Sequence, residues 1–191
     1  MNKEFFDDNF EKSATLIVPA TYPAGHSLEQ LEDMHTRNFS DIWRLYKGDM
    51  GNEENYRNNV INTKEGTASV YLSHLQKGET LRKLFLKEIV EKVGDSFFPS
   101  IYPVLALFRE NENFILDNTC TFNNPKIFTF FKNYNNELAR ASVSKWYGKP
   151  CFDTFLCKDL ENITLQDLNN WDWFNQRLML ILPDASLNFN S

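Results

Sequence analysis

Glycine and proline are scarce in this chain, with seven of each among 191 residues. This scarcity excludes collagen-like and low-complexity proteins. The chain also lacks the sequences G-x-G-x-x-G, G-x4-G-K-[S/T] and G-x-S-x-G, which disfavours nucleotide-binding loops and α/β-hydrolases. No apolar run approaches the roughly 18 residues of a membrane-spanning helix. We therefore expect no membrane association.

Cysteine and histidine are also few, with three of each. An odd number of cysteines fits reduced thiols, and residues 1–20 lack the uninterrupted apolar core of a signal peptide, so a cytoplasmic location is predicted. His26, His35 and His74 do not have the H-x3-H or H-E-x-x-H spacing of zinc ligands. We predict neither a metal nor another cofactor.

The charge balance is acidic, with 26 acidic and 20 basic residues and a formal net charge of -6 at pH 7. Binding to a phosphate backbone needs clustered Lys and Arg, so nucleic acid is a disfavoured partner. Aromatic residues make up 15% of the chain, and exposed aromatic patches are common binding surfaces. Together these features favour a protein partner with a basic surface.

Length and apolar content (42%) predict one globular domain over 1–191 with its own core. Capping residues and apolar periodicity predict four helices, beginning at Ser27, Thr80, Asn124-Pro125 and Thr164. Apolar runs predict strands at 14–19, 67–75 and 151–157, a hairpin over 101–121, and either a strand or a helix end at 177–182. A long polar loop is expected at about 48–66. This mixture predicts an α+β fold with about four helices and about five short strands; three-layer α/β is the alternative.

The segment Pro23-Ala24-Gly25-His26-Ser27 is a turn that leads into a predicted helix. Free N–H groups and the helix dipole suit an anion there, and His26 could protonate a leaving oxygen. The string is similar to the P-S-G-H element of the acid phosphatase and haloperoxidase superfamily, which implies phosphate chemistry. Because the basic residues upstream and the Arg-led segment with a second histidine have no counterpart here, the family is not assigned. The enzyme alternative is a hydrolase or transferase acting on a phosphate-containing substrate, with His26 and a distant partner such as Cys151.

Residues 125–150 combine basic and aromatic side chains. They contain five basic residues against Glu137 alone, a local net charge of +4, interleaved with Phe, Tyr and Trp. Such a combination can bind single-stranded nucleic acid by phosphate pairing and base stacking. A second alternative is therefore nucleic-acid binding through a predicted helix over 125–150.

The leading hypothesis is a non-enzymatic protein-binding module. Trp171-Asp172-Trp173 lies on a predicted helix, and exposed Trp is a frequent interface anchor. We expect these three residues to contact the partner together with Glu53, Glu54 and Tyr56 of the long loop. Small size, acidity and the missing catalytic motifs are typical of inhibitors, immunity proteins and phage counter-defence proteins. The oligomeric state is left open.

Overall fold

The computed structural model describes residues 1–20, 65–74, 86–118, 126–133, 135–146, 149–157 and 178–184. Within these ranges the chain forms four helices and one six-stranded sheet. The helices are α1 (Lys3–Asn9), α2 (Leu86–Val93), α3 (Ile101–Glu110) and α4 (Glu112–Asn118). The strands are β1 (Phe10–Val18), β2 (Gly66–Ser73), β3 (Lys126–Lys132), β4 (Leu138–Trp146), β5 (Lys149–Leu156) and β6 (Leu178–Pro183). The protein therefore has mixed α and β content, as the sequence predicts.

The strand order in the sheet is β1-β2-β6-β3-β4-β5. All neighbouring strands run antiparallel except β3 and β6, which are parallel. The carboxyl ends of these two strands therefore lie at the same edge of the sheet. Beyond the paired stretch, Phe98 takes the place next to β3: its N–H donates to the carbonyl of Phe130 at 2.8 Å, and the N–H of Lys132 donates to the carbonyl of Phe98 at 3.0 Å.

Apolar side chains cover both faces of the sheet. On β6, Leu178, Leu180 and Leu182 belong to one buried cluster with Phe6 of α1 and Ile89 of α2. The alternate residues Met179 and Ile181 belong to a second cluster, which includes α3 and α4. Because successive side chains of a strand point to opposite faces, a central strand buried on both faces is apolar at nearly every position.

Several predicted elements are confirmed. The strand predicted at 14–19 is part of β1 up to Val18, the strand predicted at 67–75 matches β2 up to Ser73, and the stretch 151–157 is extended in β5 up to Leu156. The apolar run predicted at 177–182 is a strand from Leu178 onward, which decides between the two interpretations. Gly94 follows α2 with a φ of +59°, a left-handed conformation that glycine adopts at helix C-termini.

The hairpin predicted over 101–121 is wrong. Residues Ile101–Glu110 form α3 and Glu112–Asn118 form α4. Six consecutive residues from Pro103 to Phe108 are buried, so no polar face marks the helical period, and a short apolar run of this kind also fits a strand. Pro103 lies in the first turn, where proline is tolerated because the N–H has no intrahelical acceptor.

The helix predicted from Asn124-Pro125 is also wrong. The chain forms β3, a tight turn and β4, which pair antiparallel from Ile127↔Val143 to Lys132↔Leu138. Asn136 in the turn has a φ of 60°, and its N–H donates to the carbonyl of Asn133 at 2.9 Å. Apolar residues recur on both faces of β3 because an apolar cluster covers each face, with Ile127 and Phe131 in one cluster and Phe128 and Phe130 in the other. This recurrence imitates helical spacing.

Other predictions fall outside the described residues. They are the helix from Ser27, the loop at about 48–66 up to Lys64, the Thr80 cap and the helix from Thr164. Helix α1 was not predicted. Among the described residues no helix is long and apolar enough to cross a membrane.

Candidate functional site

Polar side chains alternate with apolar ones along β2. Thr67, Ser69, Tyr71 and Ser73 point to one face of the sheet, because side chains of a strand repeat with a period of two. The intervening Ala68 and Val70 are buried in the opposite face. Ser69 and Ser73 are buried, whereas Thr67 and Tyr71 are half-buried. Strand β2 therefore presents a row of hydroxyl groups on the face that α1 and α2 cover.

The Asp184 carboxylate accepts hydrogen bonds from the first two hydroxyl groups of this row. Its Oδ2 accepts a hydrogen bond from the Thr67 hydroxyl at 2.6 Å, and its Oδ1 accepts one from the Ser69 hydroxyl at 2.5 Å. The backbone N–H of Asp184 also donates to the carbonyl of Thr67 at 3.0 Å. Charge-assisted hydrogen bonds to a carboxylate are shorter and stronger than neutral ones. They hold the Asp184 carboxylate in one position directly after β6.

Tyr71 lies next to this carboxylate. Burial raises the pKa of its phenol, a hydrogen bond with Ser69 lowers it, and the negative charges of Asp184 and Asp7 raise it, with a net upward shift. The phenol therefore stays neutral at physiological pH. Its ring packs edge-on against Phe6 of α1, with ring centroids 5.5 Å apart. Asp7 and Asp184, which are distant in sequence, are thus both close enough for their charges to act on the Tyr71 phenol.

Helix α1 carries further carboxylates in addition to Asp184. Its N-terminus is capped by Asn2, whose side-chain oxygen accepts the N–H of Phe5 at 3.0 Å, and the N–H of Asn2 donates to the carbonyl of Lys92 at 2.8 Å. Phe6 is buried and stacks on Phe10 at 5.2 Å. The opposite side of the helix has three exposed acidic residues, Glu4, Asp7 and Asp8. The acidic site is defined here as Glu4, Asp7, Asp8, Tyr71 and Asp184.

The basic residues at 125–150 do not form a helical face. Arg140 on β4 is only 5% exposed, with its guanidinium 5.1 Å from the centre of the Phe128 ring. Lys132 lies over Phe97 at 5.0 Å, and its ammonium donates to the carbonyl of Asn136 at 3.2 Å. A buried Arg140 is not accessible to a phosphate backbone. The predicted helical nucleic-acid site is therefore replaced by a β-hairpin.

The enzyme alternative gains no support from the described thiol. Burial raises the pKa of Cys157 to about 11, although the nearby Arg140 and Lys132 act in the opposite direction. A thiol with this pKa is almost entirely protonated at neutral pH, and the thiolate is the nucleophile. Cys151 lies on β5, opposite Ser144 of β4. Its predicted partner His26 lies outside the described residues, so this pair stays a prediction.

The predicted contact residues are also outside the described residues. They are Glu53, Glu54 and Tyr56 of the long loop and Trp171, Asp172 and Trp173. The acidic site was not predicted. The alternation Thr-Ala-Ser-Val-Tyr-Leu-Ser at 67–73 was a readable signal for the hydroxyl row, but pairing with Asp184 joins residues more than a hundred positions apart.

Comparisons with known protein families, curated proteins and solved structures found no match. In the part of the chain that the structure describes, no group of three or more His, Cys, Asp or Glu side chains could hold a metal ion.

Proposed function

We propose that this protein is a small acidic protein-binding module that inhibits or neutralises a partner with a basic surface. The observation that carries the proposal is the acidic site. Helix α1, which carries three exposed carboxylates, packs on the face of the sheet that carries Tyr71, and the charges of Asp7 and Asp184 both act on the Tyr71 phenol. Complementary charge of this kind steers association and excludes partners of the wrong sign.

The fixed Asp184 carboxylate and the packing of α1 support this role. Asp184 accepts hydrogen bonds from two hydroxyl groups, and α1 is held by its cap and by the packing of Phe6 and Phe10. Side chains that are already positioned lose less conformational entropy on binding. Tyr71 adds an aromatic surface with a polar end, a composition that is common at interfaces.

Further contacts are proposed for segments outside the described residues. Trp171 and Trp173 would serve as aromatic anchors beside Asp172, and Glu53, Glu54 and Tyr56 would extend the acidic surface. The functional class that we propose for this protein is that of inhibitors, immunity proteins or phage counter-defence proteins. The odd number of cysteines supports a cytoplasmic location for this activity.

For the architecture, we infer one α+β domain. Four of the five strand pairings are antiparallel, which supports this class over a parallel α/β fold. Both apolar clusters contain helix residues. Helices on both faces of a sheet are a feature of the three-layer α/β alternative.

The proposal is tested by removing charge from α1 without changing its shape. The double variant Asp7→Asn, Asp8→Asn keeps side-chain size and affects exposed positions, so the fold should be unchanged. Tagged wild type and variant are used to capture partners from the native host, and the captured proteins are quantified by mass spectrometry. We expect a basic partner that is enriched on the wild type and depleted roughly twofold to thirtyfold on the variant, because exposed charge pairs each contribute about 0.2–1 kcal/mol.

The matched control is Glu110→Gln, Asp117→Asn, which neutralises two exposed carboxylates on α3 and α4. This control changes net charge by the same amount at another place, and it should capture the partner as the wild type does. Equal loss in both variants would show that only net charge matters. Equal capture by all three proteins would contradict a role for the acidic site.

A further inference from the structure

An exposed apolar side chain lies on the same face of the sheet as Tyr71. Ile17 of β1 is 51% exposed, and apart from Met1 no other large hydrophobic residue in the described ranges is exposed. Its neighbours Leu16 and Val18 are buried in the cluster that includes α3 and α4. Because successive side chains of a strand point to opposite faces, the Ile17 side chain lies on the other face, which carries α1.

Ile17, Thr67 and Asp184 form a row across the ends of β1, β2 and β6. Ile17 is paired with Thr67 in the register of β1 and β2. On the other side of Thr67, the Asp184 N–H donates to the Thr67 carbonyl at 3.0 Å, and the Thr67 hydroxyl donates to Asp184 Oδ2 at 2.6 Å. Neighbouring strands are only about 4.7–4.9 Å apart. One long side chain that lies across Thr67 can therefore contact both Ile17 and the Asp184 carboxylate.

The half-buried Asp184 carboxylate has acceptor capacity that the protein does not use. Its two oxygens accept hydrogen bonds from the Thr67 and Ser69 hydroxyls, whereas an ionised carboxylate has about four lone-pair sites. Within the ranges that the structure describes, no Lys or Arg forms an ion pair with it. A partly buried charge is stabilised by a counter-charge, so the remaining acceptor positions favour a cationic donor.

The apolar end of the row is also held in place. The Asn111 side chain, at the end of α3, donates to the carbonyl of Ile17 at 2.8 Å and to that of Leu107 at 2.7 Å. Single exposed apolar side chains are common in soluble proteins. What distinguishes Ile17 is its fixed position in one row with an unpaired carboxylate.

We propose that Ile17, Thr67 and Asp184 bind an arginine side chain of the basic partner. The aliphatic stem of the arginine packs on Ile17 and on the Thr67 methyl group, as long basic side chains do on apolar surface. The guanidinium donates to the remaining lone pairs of Asp184, because its planar fork matches a carboxylate better than an ammonium does. This inference rests on the proposed function, since it names the side chain that the partner presents at the acidic site.

The experiment uses N-acetyl-arginine amide as the probe and N-acetyl-lysine amide as its comparison. Each is titrated into the isotope-labelled full chain at constant ionic strength, and NMR follows the Thr67 amide signal. Wild type is compared with Ile17→Thr, which keeps a β-branched residue at an exposed strand position, and with Asp184→Asn. The matched control, Asp117→Asn, neutralises an exposed carboxylate of α4 on the opposite face. Urea unfolding checks each variant, and Ile17→Thr decides the test if Asp184→Asn does not fold.

We expect saturable binding of the arginine probe and weaker binding of the lysine probe. Affinity for arginine should fall about twofold to fivefold in Ile17→Thr, through lost apolar contact, and about fivefold or more in Asp184→Asn, through lost charged hydrogen bonds. It should be unchanged in Asp117→Asn. Equal binding of the two probes would overturn the assignment to arginine. No saturable shift, no loss in Ile17→Thr, or an equal loss in Asp117→Asn would overturn the site itself.

Failure of this inference is distinguishable from failure of the proposed function. Capture of a basic partner that depends on Asp7 and Asp8, together with a probe affinity that does not depend on Ile17, would overturn only the arginine site. Probe binding that depends on Ile17 and Asp184, without a captured basic partner, would support the arginine site and contradict the proposed function.

Discussion

At the scale of single residues, side-chain hydroxyls complete the hydrogen bonding where regular strand pairing ends. The pairing of β2 with β6 runs from Ala68↔Pro183 to Leu72↔Met179. One position further, the N–H of Leu178 donates to the Ser73 hydroxyl at 2.8 Å in a fully buried environment. The alternation of hydroxyl and apolar residues on β2 is visible in the sequence. Their partners are not, because β6 lies more than a hundred residues further along the chain.

Ser73→Ala is expected to destabilise the protein by about 1–3 kcal/mol, since it leaves the buried N–H of Leu178 without an acceptor. Urea unfolding measures the change. The control is Ser13→Ala: Ser13 is exposed, its hydroxyl bond to Val70 is long at 3.4 Å, and its loss should cost no more than about 0.5 kcal/mol. Equal stability of wild type and Ser73→Ala would show that the hydrogen bond from Leu178 to Ser73 does not stabilise the start of β6.

Cys157 is expected to react slowly with an alkylating agent. Burial raises its pKa from 9.0 to about 11, so the thiolate fraction at pH 7.5 is about 100-fold lower than for an ordinary thiol. Time-resolved iodoacetamide labelling with peptide mass spectrometry measures this residue separately from Cys120 and Cys151. Labelling in urea is the control and should restore the ordinary rate; a fast reaction in the folded protein would contradict the burial of Cys157.

At the scale of elements, burial on all sides explains both errors of sequence interpretation. The side chains from Pro103 to Phe108 in α3 and from Ile127 to Phe131 in β3 are all buried, so neither element shows the period that distinguishes a helix from a strand. An element with one solvated face was easier: in β1, Leu16 and Val18 are buried whereas Thr15 and Ile17 are exposed, and a strand was predicted there. The end of α2 was also predictable, since Gly94 is a local signal.

The turn between β3 and β4 offers a test that separates a hairpin from the helix that the sequence suggested. Asn136 has a φ of 60°, where glycine fits without strain and a β-branched side chain does not. Asn136→Gly is therefore expected to be neutral or stabilising, and Asn136→Val to cost about 1–2 kcal/mol. In a helix the order would be reversed, because valine is a better helix former than glycine. Chemical denaturation of the two variants measures the order directly.

At the scale of the whole molecule, the described sheet has edges that resist further strand pairing. β1, at one edge, carries a bulge between Lys12 and Ala14, and the Asn111 side chain donates to the carbonyl of Ile17 at 2.8 Å. β5, at the other edge, contains Pro150, which has no N–H to donate. Such features protect edges from adding strands of other chains. A partner is therefore expected to bind side chains on the α1 face and not to extend the sheet.

The sequence predicts the net charge of the whole molecule but not where the charged side chains group together. The net charge of -6 indicates a basic partner, but the grouping of Asp7 and Asp184 around Tyr71 arises from packing of α1 and β6 against β2. Long-range packing of this kind is set by the complete apolar core. The location of the acidic site was therefore beyond sequence interpretation.

The most direct test of the central claim is the salt dependence of affinity between the captured partner and two forms of this protein, the wild type and Asp7→Asn, Asp8→Asn. Binding is measured at salt concentrations from about 50 to about 500 mM, over which exposed charges become screened. The account predicts that wild-type affinity falls with salt more steeply than that of the variant, and that the two affinities converge at high salt. Equal affinities with equal salt dependence would contradict binding through the acidic site.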